Sequence, residues 1–269
     1  MASIVPYGIN TRKRVSAHIY GLRLAGYSAA VDDDLLGALH AEYQVLDGAL
    51  AACSDEDWQR LTPAEGWTVE DSVRHLVVSD RAAVLAITED LDPLRGAGVI
   101  EPVSEQGPAL LDAWRKSREQ VTDAFATRDD RDRVPWGGRH MAARSLLIAR
   151  LMEVWAHGLD CFAALSRPVV PSPRLQHIAW LGYRTLPHAF AVEGISPPAD
   201  PAELRLEVRS PDGTEVWAFG PSGSPHRLTG PAIDWCRVST RRLRPGDPCR
   251  LEAEGALAGA ALAYAKAFL

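Results

Sequence analysis

Cysteine is scarce in this 269-residue chain: there are four, Cys53, Cys161, Cys236 and Cys249, and no two stand in a CxxC pair. That leaves neither a paired-thiol motif nor the disulfide framework of a small secreted domain, and the expected setting is reducing. Long apolar runs are missing as well. With no membrane span and no signal-peptide core, the expectation is a cytoplasmic protein without a membrane partner. Basic blocks are equally absent. The formal net charge is −6 and the pI near 5.8, and the nearest basic cluster, Arg237 to Arg244, sits in a segment of helical pattern. A nucleic acid or other polyanion is therefore not an expected partner. No internal repeat or low-complexity tract is present. What is plentiful is apolar residue, 46% of the chain, enough for a sizeable core in one large domain or two smaller ones.

The first two-thirds of the chain has helical periodicity. A stretch from Leu35 to about Ala52 places Leu36, Leu39, Tyr43, Leu46 and Leu50 on one face. Thr62–Trp67 forms a loop, and Thr68-Val-Glu-Asp71 is a capping box that opens a helix running to about Glu89. A third helix is expected from Ser104 to about Thr127, then a loop at Pro135-Trp136-Gly137-Gly138, then a long helix ending near Leu165. A fifth helical segment, Arg174 to about Val192, carries Pro187 at its middle and should bend there. Beyond Pro197-Pro198 the texture changes. Leu204 to Val208 alternates at period two, Pro211-Asp-Gly213 is a hairpin turn, and Glu215 to Phe219 returns. Ala232 to Leu243 has a helical pattern, Arg250 to Ala253 suits a short strand, and Ala256 to Leu269 a closing helix. The predicted fold is α+β: an extension over residues 1–31, an antiparallel four-helix bundle over 32–196, and a small α+β domain over 197–269.

The chemistry concentrates in Arg150-Leu-Met-Glu153-Val-Trp-Ala-His157-Gly-Leu-Asp160. Residues four apart share a helix face, so Glu153 and His157 can reach one point. The surrounding apolar residues bury them, and a buried carboxylate beside a buried imidazole must be paired, protonated or bound to a metal. His75, in Ser72-Val-Arg-His75-Leu, lies on another apolar helix and read alone is a structural histidine. Two inward imidazoles and one carboxylate on two bundle helices together make a three-ligand site with open positions, the pattern of a catalytic zinc. Asp160 and Arg150, one turn away on either side, are candidates to orient the ligands, with surface ion pairs as the plain alternative. His140, in the loop after Gly138, is a further ligand or acid candidate. His18, His40, His177, His188 and His226 read as surface or packing residues. Trp67, Trp136 and Trp155 are candidates to wall a pocket and equally ordinary core residues.

These motifs carry a resemblance. Pro63-Ala-Glu-Gly-Trp67-Thr-Val leading into Arg74-His75-Leu, with the later Glu153-Val-Trp-Ala-His157-Gly-Leu-Asp160, resembles the mycothiol-dependent maleylpyruvate isomerase family of the DinB-like superfamily. More narrowly, Arg133-Val-Pro-Trp136-Gly and Ala143-Arg-Ser145 are similar to an actinobacterial branch known only as metal-binding. Thr229-Gly-Pro231-Ala-Ile-Asp234 and Thr240-Arg241-Arg242 resemble that family's second domain, so the likeness runs from Leu35 to Leu269. It implies a DinB-like four-helix bundle holding a divalent ion, zinc by preference, on His75, Glu153 and His157. It further implies mycothiol as a thiol cofactor and an arginine from the second domain, Arg241 or Arg242, that orients a substrate carboxylate. A solvated basic helix end is the alternative for that arginine pair. The leading expectation is a metal-dependent isomerase or thiol transferase acting on a small organic molecule. The alternatives are a thiol-free metalloenzyme catalysing cyclisation, elimination or hydrolysis, an oxygen-activating site with Fe2+ in place of zinc (Ni2+ also suits the donor set), and a non-catalytic metal-binding module.

Overall fold

Asp34 accepts a hydrogen bond from Gly37 and starts the first helix, α1 (Leu35–Leu50), whose Leu39, Tyr43 and Leu46 are fully inside. The computed structural model describes residues 34–95, 100–243 and 247–268, so the expected extension over residues 1–31 lies outside the described residues. A short helix, α2 (Asp55–Trp58), follows, and then α3 (Val69–Thr88) opens on the capping box read from sequence, with Thr68 and Asp71 exchanging bonds. Helices α4 (Gly107–Ala126) and α5 (Ala143–Ala164) complete an antiparallel bundle in which α3 packs on α4 and α5, and α1 on α5 and α4. Among the described residues no helix is long and apolar enough to cross a membrane.

Two expectations in this region are corrected. The stretch around Pro135–Gly138 is a β-hairpin, β1 (Arg133–Trp136) paired antiparallel with β2 (Arg139–Ala142). Gly137 and Gly138 both have positive φ, 61° and 80°, as a two-residue type I′ turn requires. The fifth helical segment is broken rather than bent. It divides into α6 (Leu175–Arg184) and α7 (Leu186–Glu193), because Pro187 has no N–H to give back to Tyr183 and settles instead in the first turn of α7.

The carboxy-terminal region is a four-stranded sheet, β3 (Arg205–Arg209), β4 (Val216–Phe219), β5 (Arg227–Pro231) and β6 (Glu252–Glu254), in the order β4-β3-β5-β6. Strand β5 pairs parallel to β3, a partner more than fifteen residues back, and its Gly-Pro ending hides it from a periodicity reading. Helix α8 (Ala232–Ser239) stops short of the expected Leu243, and α9 (Ala256–Tyr264) closes the chain.

Helix α8 ties this region to the rest. Trp235 is wholly buried, and its indole N–H donates to the carbonyl of Ala179 on α6 at 3.0 Å. The helices meet at Gly182, where an added Cβ would stand 2.7 Å from Ser239 Cβ and 3.2 Å from the Trp235 indole nitrogen. Both neighbours are core groups with nowhere to go. Gly182→Ala is expected to lower stability by about 1–3 kcal/mol, read as a shifted urea midpoint with unchanged slope.

Candidate metal centre

His75 lies on α3 and both Glu153 and His157 lie on α5, and the packing of α3 against α5 brings the three together. Glu153 Oε2 is 3.2 Å from His75 Nε2 and 3.5 Å from His157 Nε2, and the three ligand atoms all lie within 4.8 Å of one another. An ion held about 2.0–2.2 Å from each of three such atoms would separate them by roughly 3.5 Å, so the donor set and its spacing fit a divalent metal. Trp67 roofs the trio: its indole is stacked on the His157 ring at 5.5 Å and tilted against His75 at 5.3 Å. Trp155 is a buried core residue and Trp136 a partly buried one.

The electrostatics follow from this geometry. Burial alone would raise the Glu153 carboxyl, but the imidazoles of His157 and His75 outweigh it and hold the acid well below its ordinary range. Desolvation lowers His75, against the pull of Glu153, so its ring is neutral near pH 7. His157 is also desolvated, yet Asp160 and Glu153 reverse the sign and raise it above 6.5. Protons and metal compete for the same imidazole nitrogens. Metal affinity should therefore fall about tenfold per pH unit once pH drops below the raised His157 value, and more steeply below that of His75. Chelator competition at a series of pH values reads this directly.

The other expected residues divide. Asp160 stands 3.5 Å from His157 Nδ1 and accepts from Arg242 Nη2 at 2.9 Å, so Arg242 reaches the site. Arg241 does not reach it, since its side chain is exposed and 3.9 Å from Glu193. His140 is exposed on β2, where its carbonyl accepts from Arg133, and among the described residues it makes no contact with the trio. Arg150 is neither at the surface nor on a ligand. It is buried on Asp80 at 3.2 Å and on Ser79 at 2.9 Å. Sequence reading gave Asp80 no role, and its signal was its place as the one acid between Asp71 and Glu89 on a helix with an apolar face. An open groove of about 730 Å3 between α3 and α4, bordered by Arg81, Lys116 and Asp123, is lined by none of the three candidate ligands.

A four-helix bundle presenting two imidazoles and a carboxylate to one point defines a helical scaffold with a candidate metal site, and comparison with known proteins narrows that class. Residues 39–162 match the mycothiol maleylpyruvate isomerase N-terminal domain. The chain is 36% identical over 217 residues to an uncharacterized protein of Mycobacterium tuberculosis, Rv0036c in strain H37Rv and MT0041 in strain CDC 1551, across 76% of this chain and 83% of the relative. In fold it is similar to the crystal structure of the mycothiol-dependent maleylpyruvate isomerase, with TM-score 0.55 at 17% identity over 80% of this chain and 94% of that one. A point mutant of that enzyme gives 0.54 at 16% identity, over 81% of this chain and 91% of the mutant's. The chain belongs to the mycothiol maleylpyruvate isomerase family of DinB-like proteins. Family and trio together support a metal-dependent enzymatic role.

Proposed function

We propose that the chain is a divalent-metal-dependent enzyme acting on a small organic molecule by isomerisation or thiol transfer, with mycothiol as the thiol. The observation that carries this reading is the convergence of His75, Glu153 and His157 to within 4.8 Å of one another beneath Trp67. These three would hold the ion, zinc by preference for two imidazoles and a carboxylate, and when bound it supplies Lewis acidity toward a carbonyl or a thiol. Glu153 contributes the anionic ligand, already ionised, and His75 a neutral imidazole. Trp67 covers one face of His157 and excludes water there. Burial pushes the thiols of Cys161, Cys236 and Cys53 up, which makes them poor nucleophiles. A thiol used in the reaction would thus come from outside the chain rather than from these three cysteines. In this proposal residues 32–196 carry the ligands, residues 197–269 add an arginine, and the protein works in the cytoplasm.

Elemental analysis of untagged protein tests the reading. About one equivalent of zinc in the wild type, lost in His75→Ala and in His157→Ala while both stay folded, is the expected result. Turnover of electrophilic substrates with and without mycothiol then separates the thiol-using reaction from the thiol-free one. Iron at that level would redirect the search to oxygen chemistry, and no metal after reconstitution would overturn the proposal.

A further inference from the structure

The proposed ligands all belong to α3 and α5, yet the acid beside His157 takes its partner from outside the bundle. Helix α8 ends in a tight reversal. The Arg242 N–H returns to the Arg237 carbonyl at 2.7 Å and the Arg241 N–H to that of Val238 at 3.0 Å, the bond pair of a Schellman motif. Arg241 holds the left-handed position of that motif, at φ 58°, where glycine is usual. The reversal turns Arg242 toward α5. One end of its guanidinium donates to Asp160 Oδ2 at 2.9 Å and the other to the Thr240 carbonyl at 2.7 Å.

Beside the same Asp160 oxygen, Nδ1 of His157 is buried and has no partner at ordinary hydrogen-bond length; Asp160 Oδ2 stands 3.5 Å away. A bare Nδ1 there would set a lone pair against a carboxylate oxygen in a site shielded from water. Nε2 faces a carboxylate as well, Glu153 Oε2 at 3.5 Å, so in the metal-free ring either nitrogen has an acceptor; with an ion on Nε2, an Nδ1–H toward Asp160 would satisfy both ends of the ring.

We propose that Arg242 is a positioning residue: through Asp160 it fixes His157 with Nδ1–H toward the carboxylate and Nε2 free, so that the carboxy-terminal region sets the metal affinity of the bundle. The inference rests on the metal reading above. It assigns Arg242 to Asp160 rather than to a substrate carboxylate, since two of its nitrogens are engaged within the protein. Removing a partner that orients a ligating histidine weakens metal binding about 10–100-fold.

Zinc affinity of the full chain, measured by competition with a chromogenic chelator, is the test. Arg242→Met and Asp160→Asn should bind zinc roughly 10–100-fold more weakly than wild type. Arg242→Lys should fall between, because an ammonium restores charge without the planar fork. Proton NMR of the zinc-loaded protein should show the His157 Nδ1–H as a downfield, slowly exchanging signal in the wild type, and a faster-exchanging, upfield-shifted one in Arg242→Met. Circular dichroism establishes that each variant is folded; should Arg242→Met fail, Arg242→Lys and Asp160→Asn carry the same comparison. Wild-type affinity or a wild-type Nδ1–H signal in the folded variants would overturn this inference and leave the metal site standing. A wild type that binds no zinc would overturn the metal reading, and this inference with it.

Discussion

Replacing Asp80 by alanine is expected to destabilise the protein by about 3–5 kcal/mol, the usual consequence of leaving a buried charge without its partner. Arg150 is 2% exposed and Asp80 fully buried, so neither can turn to water when the other is removed. Asp80 Oδ1 accepts from Arg150 Nε at 3.2 Å and from the Tyr43 hydroxyl at 3.4 Å, while Oδ2 accepts from Ser117 at 3.3 Å. Burial pushes the Asp80 carboxyl up to about 6 against the pull of Arg150, which still leaves it charged at neutral pH. In Asp80→Ala the guanidinium keeps Ser79 alone among these contacts. Thermal melting should fall by roughly 10 °C for a chain of this size. Asp80→Leu combined with Arg150→Met, which removes both charges, should cost less than either single change, and a purely additive pair would refute the coupling. The network also bears on the site. Arg150 lies one turn before Glu153 on α5 and Asp80 follows His75 on α3, so the pair clamps the two helices that carry the candidate ligands.

Zinc should raise the melting temperature of the wild type, and a chelator should reverse the gain. A ligand that binds only the folded state stabilises it by about 4 kcal/mol at a thousandfold excess over its dissociation constant, roughly 10 °C here. In Glu153→Ala the difference between zinc-loaded and chelator-treated samples should vanish, because the carboxylate lies between the two imidazoles and is the sole anion of the trio. A gain that survives in Glu153→Ala would place the metal elsewhere. Apo stability of the variant is a separate quantity, since Glu153 also offsets the raised charge on His157.

Helices were legible where the signal is local. The capping box of Thr68 and Asp71, the apolar stripe of α1 and the four-residue spacing of Glu153 and His157 all depend on neighbours one or two turns apart, and one segment's periodicity and caps encode them. The small elements were harder. Strands β1 and β2 are four residues each, too short for period two to stand out, although the Gly137-Gly138 turn was the available signal. Strand β5 depends on β3, and its own pattern ends in glycine and proline.

From its own residues the chain determined a helical bundle with an α+β tail and the types of group its site would contain, because helix periodicity and capping act over a few residues. The tertiary structure decided who meets whom. It carried Arg150 inward to Asp80, left Arg241 and His140 exposed, and brought Arg242 across 82 positions to Asp160. Those pairings are set by how α5 packs on α3 and how α8 docks on α6, and side-chain chemistry along the chain does not encode the distance between helices.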